Sequence, residues 1–216
     1  MRWILALGAL TVLLVSGCGE EPTFATLYEV SAAGVTVNGS PAKAPVKLGL
    51  KHQVVVATKG AFARISLSDG TKLFLLPDEE GGSTTFSLES YRQEGSSRAM
   101  LFRLIRGVVA LIVPPNRPSG DVIEVEASYT TTAIRGTQLK IETGAKGDLI
   151  SVKEGTIEVR SKQDPTKVET VKTGEQIGHE PAKGFLAKSP YNPLVPKEQA
   201  VFSDSMVPIR KVVESK

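Results

Sequence analysis

The sequence predicts an all-β protein: an antiparallel sandwich or rolled sheet of short strands, followed by a Pro-rich C-terminal tail. Three observations predict it. From Val35 to about Val171 apolar residues alternate with polar ones, the period of a strand with one face on a core and one in water. Turn-forming pairs punctuate that stretch at Asp69-Gly70, Gly81-Gly82, Pro114-Pro115, Gly147-Asp148 and Asp164-Pro165. No amphipathic helical spacing occurs before the tail, and strands with one wet face belong to antiparallel sheets.

The chain opens on Met1-Arg2-Trp3 and an apolar run from Ile4 to Val15. As a helix this run is about 18 Å long, short of the roughly 30 Å hydrocarbon core, so it reads as a secretory signal and not as a span. The residues Val15-Ser16-Gly17-Cys18 resemble the lipobox of bacterial lipoproteins. The resemblance implies that Cys18 takes a diacylglyceryl group, becomes the mature N-terminus and holds the protein to a membrane through acyl chains, each buried methylene adding about 0.8 kcal/mol. Gly19, where an aspartate would resemble an inner-membrane retention signal, favours the outer membrane, with the domain facing the periplasm or the cell exterior. The expected organisation is therefore a signal peptide over 1–17, a tether over 18–33, a β domain over 34–178 and a Pro-rich tail over 179–216.

Within the β domain, Ala63-Arg64-Ile65-Ser66-Leu67, Val122-Ile123-Glu124-Val125-Glu126, Thr137 to Glu142 and Gly155 to Arg160 each show the period of two. Asp78 to Ser97, rich in Gly, Ser, Glu and Thr, reads as a mobile loop or a poorly packed hairpin around Thr84 to Leu88. Met100 to Val113 reads as two strand-like pieces meeting at Arg106-Gly107, since Val108, Val109, Ile112 and Val113 are β-branched and Pro114-Pro115 closes the segment; a buried helix is the alternative. A Gly-Thr turn recurs at Gly70-Thr71, Gly136-Thr137 and Gly155-Thr156, at intervals too unequal for a solenoid. After about His179 the alternation dissolves among Pro181, Pro190, Pro193, Pro196 and Pro208, a tail that wraps the domain or hangs free.

Ala133-Ile134-Arg135-Gly136-Thr137-Gln138-Leu139-Lys140-Ile141 resembles the signature of the FecR-domain family. Four other stretches fall in the family's order: Leu67 to Leu73, Leu104 to Val109, Val152 to Val159 and Val171 to Gln176. Together they cover roughly residues 54–178. The resemblance implies an all-β extracytoplasmic module. The family's regulators combine a cytoplasmic anti-sigma segment, a membrane span and a periplasmic part that listens to an outer-membrane transporter; this sequence shows neither of the first two.

Composition narrows the function further. Lys plus Arg number 26 against 23 Asp plus Glu, a net charge of +3 too small and dispersed for a nucleic-acid footprint. The single cysteine excludes an intramolecular disulfide framework, and with two histidines it implies no metal site or cofactor. Loss of residues 1–17 removes the only tryptophan, Trp3, which weakens a sugar-stacking reading, although Tyr28, Tyr91, Tyr129 and Tyr191 remain.

Catalytic patterns are thin. Ser40-Pro41-Ala42-Lys43 has the S-x-x-K spacing and Lys172-Thr173-Gly174 the K-T-G string of penicillin-recognising enzymes, but Asn38-Gly39-Ser40-Pro41 reads as a turn and the S-D-N element is absent. His52 and His179 read as solvated surface histidines, and Asp78-Glu79-Glu80 as a solvated turn lacking calcium-loop spacing. In the motif turn of Arg135, Gly136 and Thr137, Arg135 either bonds nearby carbonyls or meets a partner's carboxylate. The expected protein is thus no enzyme: it is a lipid-anchored binding module whose partner is an envelope protein or cell-wall component. The alternatives are a sensory accessory in FecR-type signalling and a polysaccharide or small-ligand binder.

Overall fold

The computed structural model describes residues 23–191 apart from 32, 78–81, 96 and 119. Among the described residues there is no helix, and therefore none long and apolar enough to cross a membrane. The strands run in chain order: β1 Ala25–Val30, β2 Val35–Val37, β3 Ser40–Pro41, β4 Val46–Leu48, β5 Gln53–Val56, β6 Ala63–Leu67, β7 Lys72–Leu76, β8 Thr84–Glu94 and β9 Ser97–Ile112. They continue with β10 Val122–Glu126, β11 Thr130–Ile134, β12 Gln138–Gly144, β13 Gly147–Glu154, β14 Thr156–Ser161, β15 Val168–Lys172, β16 Glu175–Glu180, β17 Gly184–Phe185 and β18 Ser189–Pro190.

The pairings resolve into two sheets. The first runs β4-β1-β6-β7-β9-β12-β13-β16, with β17 and β18 both on the far side of β16. The second runs β3-β2-β5-β8-β9-β10-β11-β14-β15. Alternation decides which side chains turn inward. In β6 Ala63, Ile65 and Leu67 are buried, and in β14 Ile157 and Val159 are buried between exposed Glu158 and Arg160. Leu27, Leu75, Leu111, Ile141 and Ile150 of the first sheet join Val56, Phe86, Phe102, Ile123 and Val159 of the second in one hydrophobic core. Facing inner surfaces around one core make a sandwich.

β9 belongs to both sheets. Ser97 to Arg106 pair with β8 and β10 in the second, and Gly107 to Ile112 pair with β7 and β12 in the first. The break expected at Arg106-Gly107 is this crossing, made within one continuous strand, and the helix alternative is excluded. Gly107 has φ +93°, and a Cβ there would stand 2.5 Å from the Cα of Thr84. Only glycine fits so close an approach in that conformation. Because β9 leaves the second sheet, the chain must return through residues 113–121 before β10 starts beside β9. That return makes β9 and β10 parallel, an exception to the antiparallel rule expected of the strands.

Other expectations shift. Thr84 to Glu94 is not a loop or a loose hairpin: β8 lies between β5 and β9, with Phe86 and Leu88 in the core. Its buried hydroxyls are satisfied, Thr84 donating to the Leu76 carbonyl and accepting from the Val108 amide, and Ser87, on the opposite face from Phe86 and Leu88, donating to Glu89. Part of the expected tether lies in the fold, since β1 sits between β4 and β6 with Leu27 fully buried. Of the expected tail, β16 extends to Glu180 and β17 and β18 cap its edge. The signal peptide, Cys18, Asp78-Glu79-Glu80, Pro193, Pro196 and Pro208 lie outside the described residues.

Candidate functional site

The recurring Gly-Thr turns meet at one end of the sandwich, around the return loop 113–121. Pro114 lies 3.4 Å from where a Cβ on Gly70 would stand, and the Pro115 Cα 3.0 Å from that of Gly136. Gly136 has φ +59°, so this turn needs both the conformation and the missing side chain. The Thr137 carbonyl accepts the Val113 amide at 2.9 Å, and the Thr137 methyl fills the space beside Gly155. Gly136 and Thr137 are thereby packing residues. Arg135 projects beside them as an exposed side chain.

A buried ion cluster fastens the same loop. Arg117, with 3% of its side chain exposed, reaches Asp69 at 2.8 Å and Asp121 at 3.0 Å, and donates to the Thr71 hydroxyl at 3.0 Å. Arg98 meets Asp121 through its side chain at 2.9 Å and its backbone amide at 2.8 Å. Burial pushes the Asp121 carboxyl up, but the hydrogen bonds from Arg98 and Arg117 outweigh it and hold the group below the usual carboxylate range. The bond to Asp121 correspondingly raises Arg98. A buried cluster of this kind secures a loop, with both carboxylates already facing Arg117.

The opposite end of the sandwich is open. A groove of about 780 Å³ runs between the β9 crossing, the turn at Ser128-Tyr129, the β12–β13 hairpin and the end of β16. Its volume falls in the range of sites that hold small molecules or side chains of a partner. Ile105 and Leu186, 46% and 37% exposed, line it with Leu149, and Arg106, Lys146 and Glu142 give it charge of both signs.

Two polar groups beneath this groove were not foreseen. Asp148, read in the sequence only as a turn residue, accepts the Tyr129 amide at 2.9 Å, the Thr130 hydroxyl at 2.8 Å and the Thr143 hydroxyl. It ties the β10–β11 turn to the β12–β13 hairpin. His179, expected at the surface, is 1% exposed. Its Nε2 lies 2.9 Å from the Ser161 hydroxyl, Tyr129 stacks on its ring at 6.2 Å, and Phe185 meets it edge-on at 5.0 Å. The imidazole ring packs against Tyr129 and Phe185 as an aromatic does, which is why the surface assignment fails. The signal in the sequence was positional: His179 follows Ile177 by two, on the inward phase of β16.

The Ser161–His179 contact has the first link of a nucleophile–base pair but not the rest. Nδ1 of His179 has no hydrogen-bond partner among the described residues, and Asp148, opposite His179 in register, is fully engaged elsewhere. A base without an orienting partner, behind a serine only 3% exposed, lacks the geometry of an acyl-transfer site. Ser40 stands in an exposed strand with Lys43 in the following loop, so the S-x-x-K string never forms one helical turn. His52 sits before β5, its Nδ1 accepting the Gly49 amide at 3.3 Å, apart from the partners of His179. Among the described residues no group of three or more His, Cys, Asp or Glu is placed to hold a metal ion.

The fold is similar to two crystal structures of a candidate anti-sigma factor from Parabacteroides distasonis ATCC 8503. The first, at 21% identity and TM-score 0.51, aligns over 70% of this chain and 63% of that one; the second, at 20% and 0.50, over 69% and 63%. This chain thus spans less than two thirds of those neighbours, and the likeness is one of fold. No curated protein matches the sequence. The FecR protein family matches at residues 53–158, a stretch that runs from β5 into β14 and holds the Gly-Thr turns, the β9 crossing and the return loop; this is a FecR-domain protein.

Proposed function

We propose that the chain is an acyl-anchored, extracytoplasmic FecR domain that works as a non-catalytic interaction module in the bacterial envelope, held to the outer membrane through Cys18. The observation that carries the reading is the contrast between the two ends of the sandwich. The motif end is closed by its own ion cluster and prolines, whereas the groove end presents apolar and charged side chains around about 780 Å³ of open space. Solvent-exposed Ile105 and Leu186 on one groove are the composition of a docking surface, with small anchors set among polar groups. The FecR match supports a regulatory and not an enzymatic role, and the unoriented Ser161–His179 pair agrees with it.

The test is site-specific photo-crosslinking in cells from Ile105 and Leu186, with a Cys18→Ser version as the control for anchoring. One envelope protein captured from both positions, and only by the anchored form, is the expected result. Capture that ignores the groove positions or survives loss of the anchor overturns the reading. A second reading, a sensory accessory in FecR-type signalling, is favoured by the candidate anti-sigma factor among the structural neighbours. It expects deletion to change transcription of a transport operon while envelope integrity is unchanged. The polysaccharide or small-ligand alternative expects a shift in thermal stability with a glycan or metal chelate, because a ligand bound only to the native state raises its stability.

A further inference from the structure

Three of the four edges of the two sheets end in blunt strands. β3 is two residues long and includes Pro41, β4 is three residues long and follows Pro45, and β17 and β18 are two residues each, with Pro190 in the latter. Short edges and prolines are the usual guards against strand addition. β15 has neither: it is five residues long, lacks proline and pairs in an unbroken register with β14. The Thr173 amide bonds the Gly155 carbonyl at 2.9 Å and the Ser161 amide the Lys167 carbonyl at 3.1 Å, one beyond each end of that pairing. Bonded positions alternate in an antiparallel pair, so Glu169 and Val171 turn their main chain toward β14 while Val168, Thr170 and Lys172 turn theirs outward. The Glu175 carboxylate holds the Lys172 amide at 2.9 Å, and among the described residues no backbone group meets Val168 or Thr170 on that side.

The chain itself returns to this edge. β13 passes to β14 through Gly155, and β15 to β16 through Thr173 and Gly174, so each pair stacks across the sandwich and β18, beyond β16, lies across from the free side of β15. Lys188 reaches Glu169 over that gap at 3.0 Å. β18 runs toward the end at which those crossings are made, and there the Tyr191 amide donates to the Gly174 carbonyl at 2.7 Å. Three Cα steps from Tyr191 to Leu194 reach about 10 Å, the spacing of two packed sheets.

We propose that the chain's own segment Leu194 to Glu198 covers this edge as a further strand, antiparallel to β15. The other crossings keep register to within one residue: Leu139 faces Val152 before one of them and Ile134 faces Ile157 after it, and the β14–β15 ladder continues into β13–β16 with a slip of one. Carried on from Glu175–Pro190, the register sets Val195 opposite Thr170 and Lys197 opposite Val168, the two residues with spare main-chain groups. Pro193 then falls opposite Lys172, whose amide Glu175 already holds, and Pro196 opposite Glu169, where a missing N–H faces away from β15. Leu194 comes beside buried Val171, and Glu198 opposite Lys167. A shift of one residue either way turns Leu194 outward and sets Pro196 against Thr170 or Val168. Charge does not choose the occupant, since Arg160, Lys167, Lys172 and Lys188 balance Glu158, Asp164, Glu169 and Glu175. Connectivity and the proline spacing choose it. Self-pairing about Glu169 sets two like carboxylates directly opposite each other. The proposal is independent of the interaction-module reading, and with β15 covered a partner must dock through side chains and not by strand addition.

The test is amide hydrogen exchange on the full chain purified in detergent, beside a version ending at Tyr191. In the full chain the amides of Val168 and Thr170 are expected to be protected, and in the shortened version to exchange at least about tenfold faster, the worth of one or two hydrogen bonds. Val195→Pro removes the donor to the Thr170 carbonyl and is expected to speed both amides by about the same factor. Pro196→Ala adds only an outward N–H and is expected to leave them as in the parent. The amides of Glu169 and Val171, held by β14, report in each version that the domain is folded. Fast exchange at Val168 and Thr170 in the full chain, equal protection in the version ending at Tyr191, or indifference to Val195→Pro overturns the proposal. So does protection that grows with the concentration of the full chain, which assigns the edge to a second copy. Groove crosslinks that persist in any of these cases leave the interaction-module reading standing.

Discussion

Asp121, whose side chain has no exposed surface, accepts four hydrogen bonds from Arg98 and Arg117, so its ionised form is favoured more in the fold than in the unfolded chain. A carboxylate depressed in this way adds stability that is complete above its unfolded value of about 3.9 and disappears as pH falls through the lower folded value. Glu126, lowered chiefly by the hydrogen bond from Lys162, acts in the same direction. The melting temperature is therefore expected to fall steeply below about pH 4. Asp121→Asn is expected to cost about 3 kcal/mol at neutral pH, since it leaves Arg117 and Arg98 short of a buried partner, and to flatten that acid slope. Thermal unfolding from pH 3 to 7 checks both, and parallel profiles for parent and variant would remove Asp121 from the account. Gly136→Val faces a different obstacle. A β-branched residue at φ +59° with Pro115 3.0 Å from its Cβ is strained by about 1–3 kcal/mol, lowering the melting temperature by several degrees. An unchanged melting temperature would show that the turn relaxes without glycine. That a turn stood at Arg135-Gly136-Thr137 was legible from residue types; that Pro114 and Pro115 cover Gly70 and Gly136 was not, because nothing local ties a loop to turns 20 to 45 residues away.

β9 shows what an element's sequence does and does not disclose. Alternation and β-branching marked strand on both sides of Arg106-Gly107, and the glycine marked a break, so the crossing point was readable. The change of sheet was not, since one-dimensional alternation carries no information on which neighbour a strand pairs with. The same limit explains β8. Its Gly- and Ser-rich flanks read as a loop, yet Phe86 and Leu88 bury and the hydroxyls of Thr84 and Ser87 find partners that only the fold supplies. His179 was misplaced for a related reason, a polar residue type outvoting its inward phase on β16. Thr84 is the residue where the two crossing elements lock, donating to Leu76 and accepting from Val108. Thr84→Val keeps the shape but leaves a buried carbonyl and a buried amide unpaired, at a cost of about 2–4 kcal/mol. Thr84→Ser retains the hydroxyl and is expected to lose much less. Urea unfolding of the two variants separates them, and equal midpoints would mean that packing and not hydrogen bonding holds the crossing.

At the scale of the whole molecule the question is how the domain is held relative to its anchor. The described fold begins near Phe24, whose ring stacks on Tyr91 at 4.3 Å and whose amide bonds the Leu48 carbonyl at 3.2 Å. Cys18 precedes Phe24 by six residues, which at full extension reach about 20 Å. An acylated Cys18 would therefore keep the sandwich close to the bilayer and restrict its partners to those near the surface. Folding and anchoring are separable on this view, because β1 supplies a ladder to both β4 and β6. Cys18→Ser is expected to abolish acyl labelling and release the protein from membranes while its melting temperature stays that of the parent. Deletion through residue 22 is expected to leave the fold equally stable. Deletion through residue 30 removes Leu27 from the core and strips a partner from both β4 and β6, so it is expected to unfold the domain or lower its stability by several kcal/mol. Fractionation and thermal unfolding of the three versions read this directly. Retained acyl labelling on Cys18→Ser sinks the anchor, whereas a stable domain lacking β1 would move the boundary of the fold back toward Val35 and leave residues 23–34 as tether.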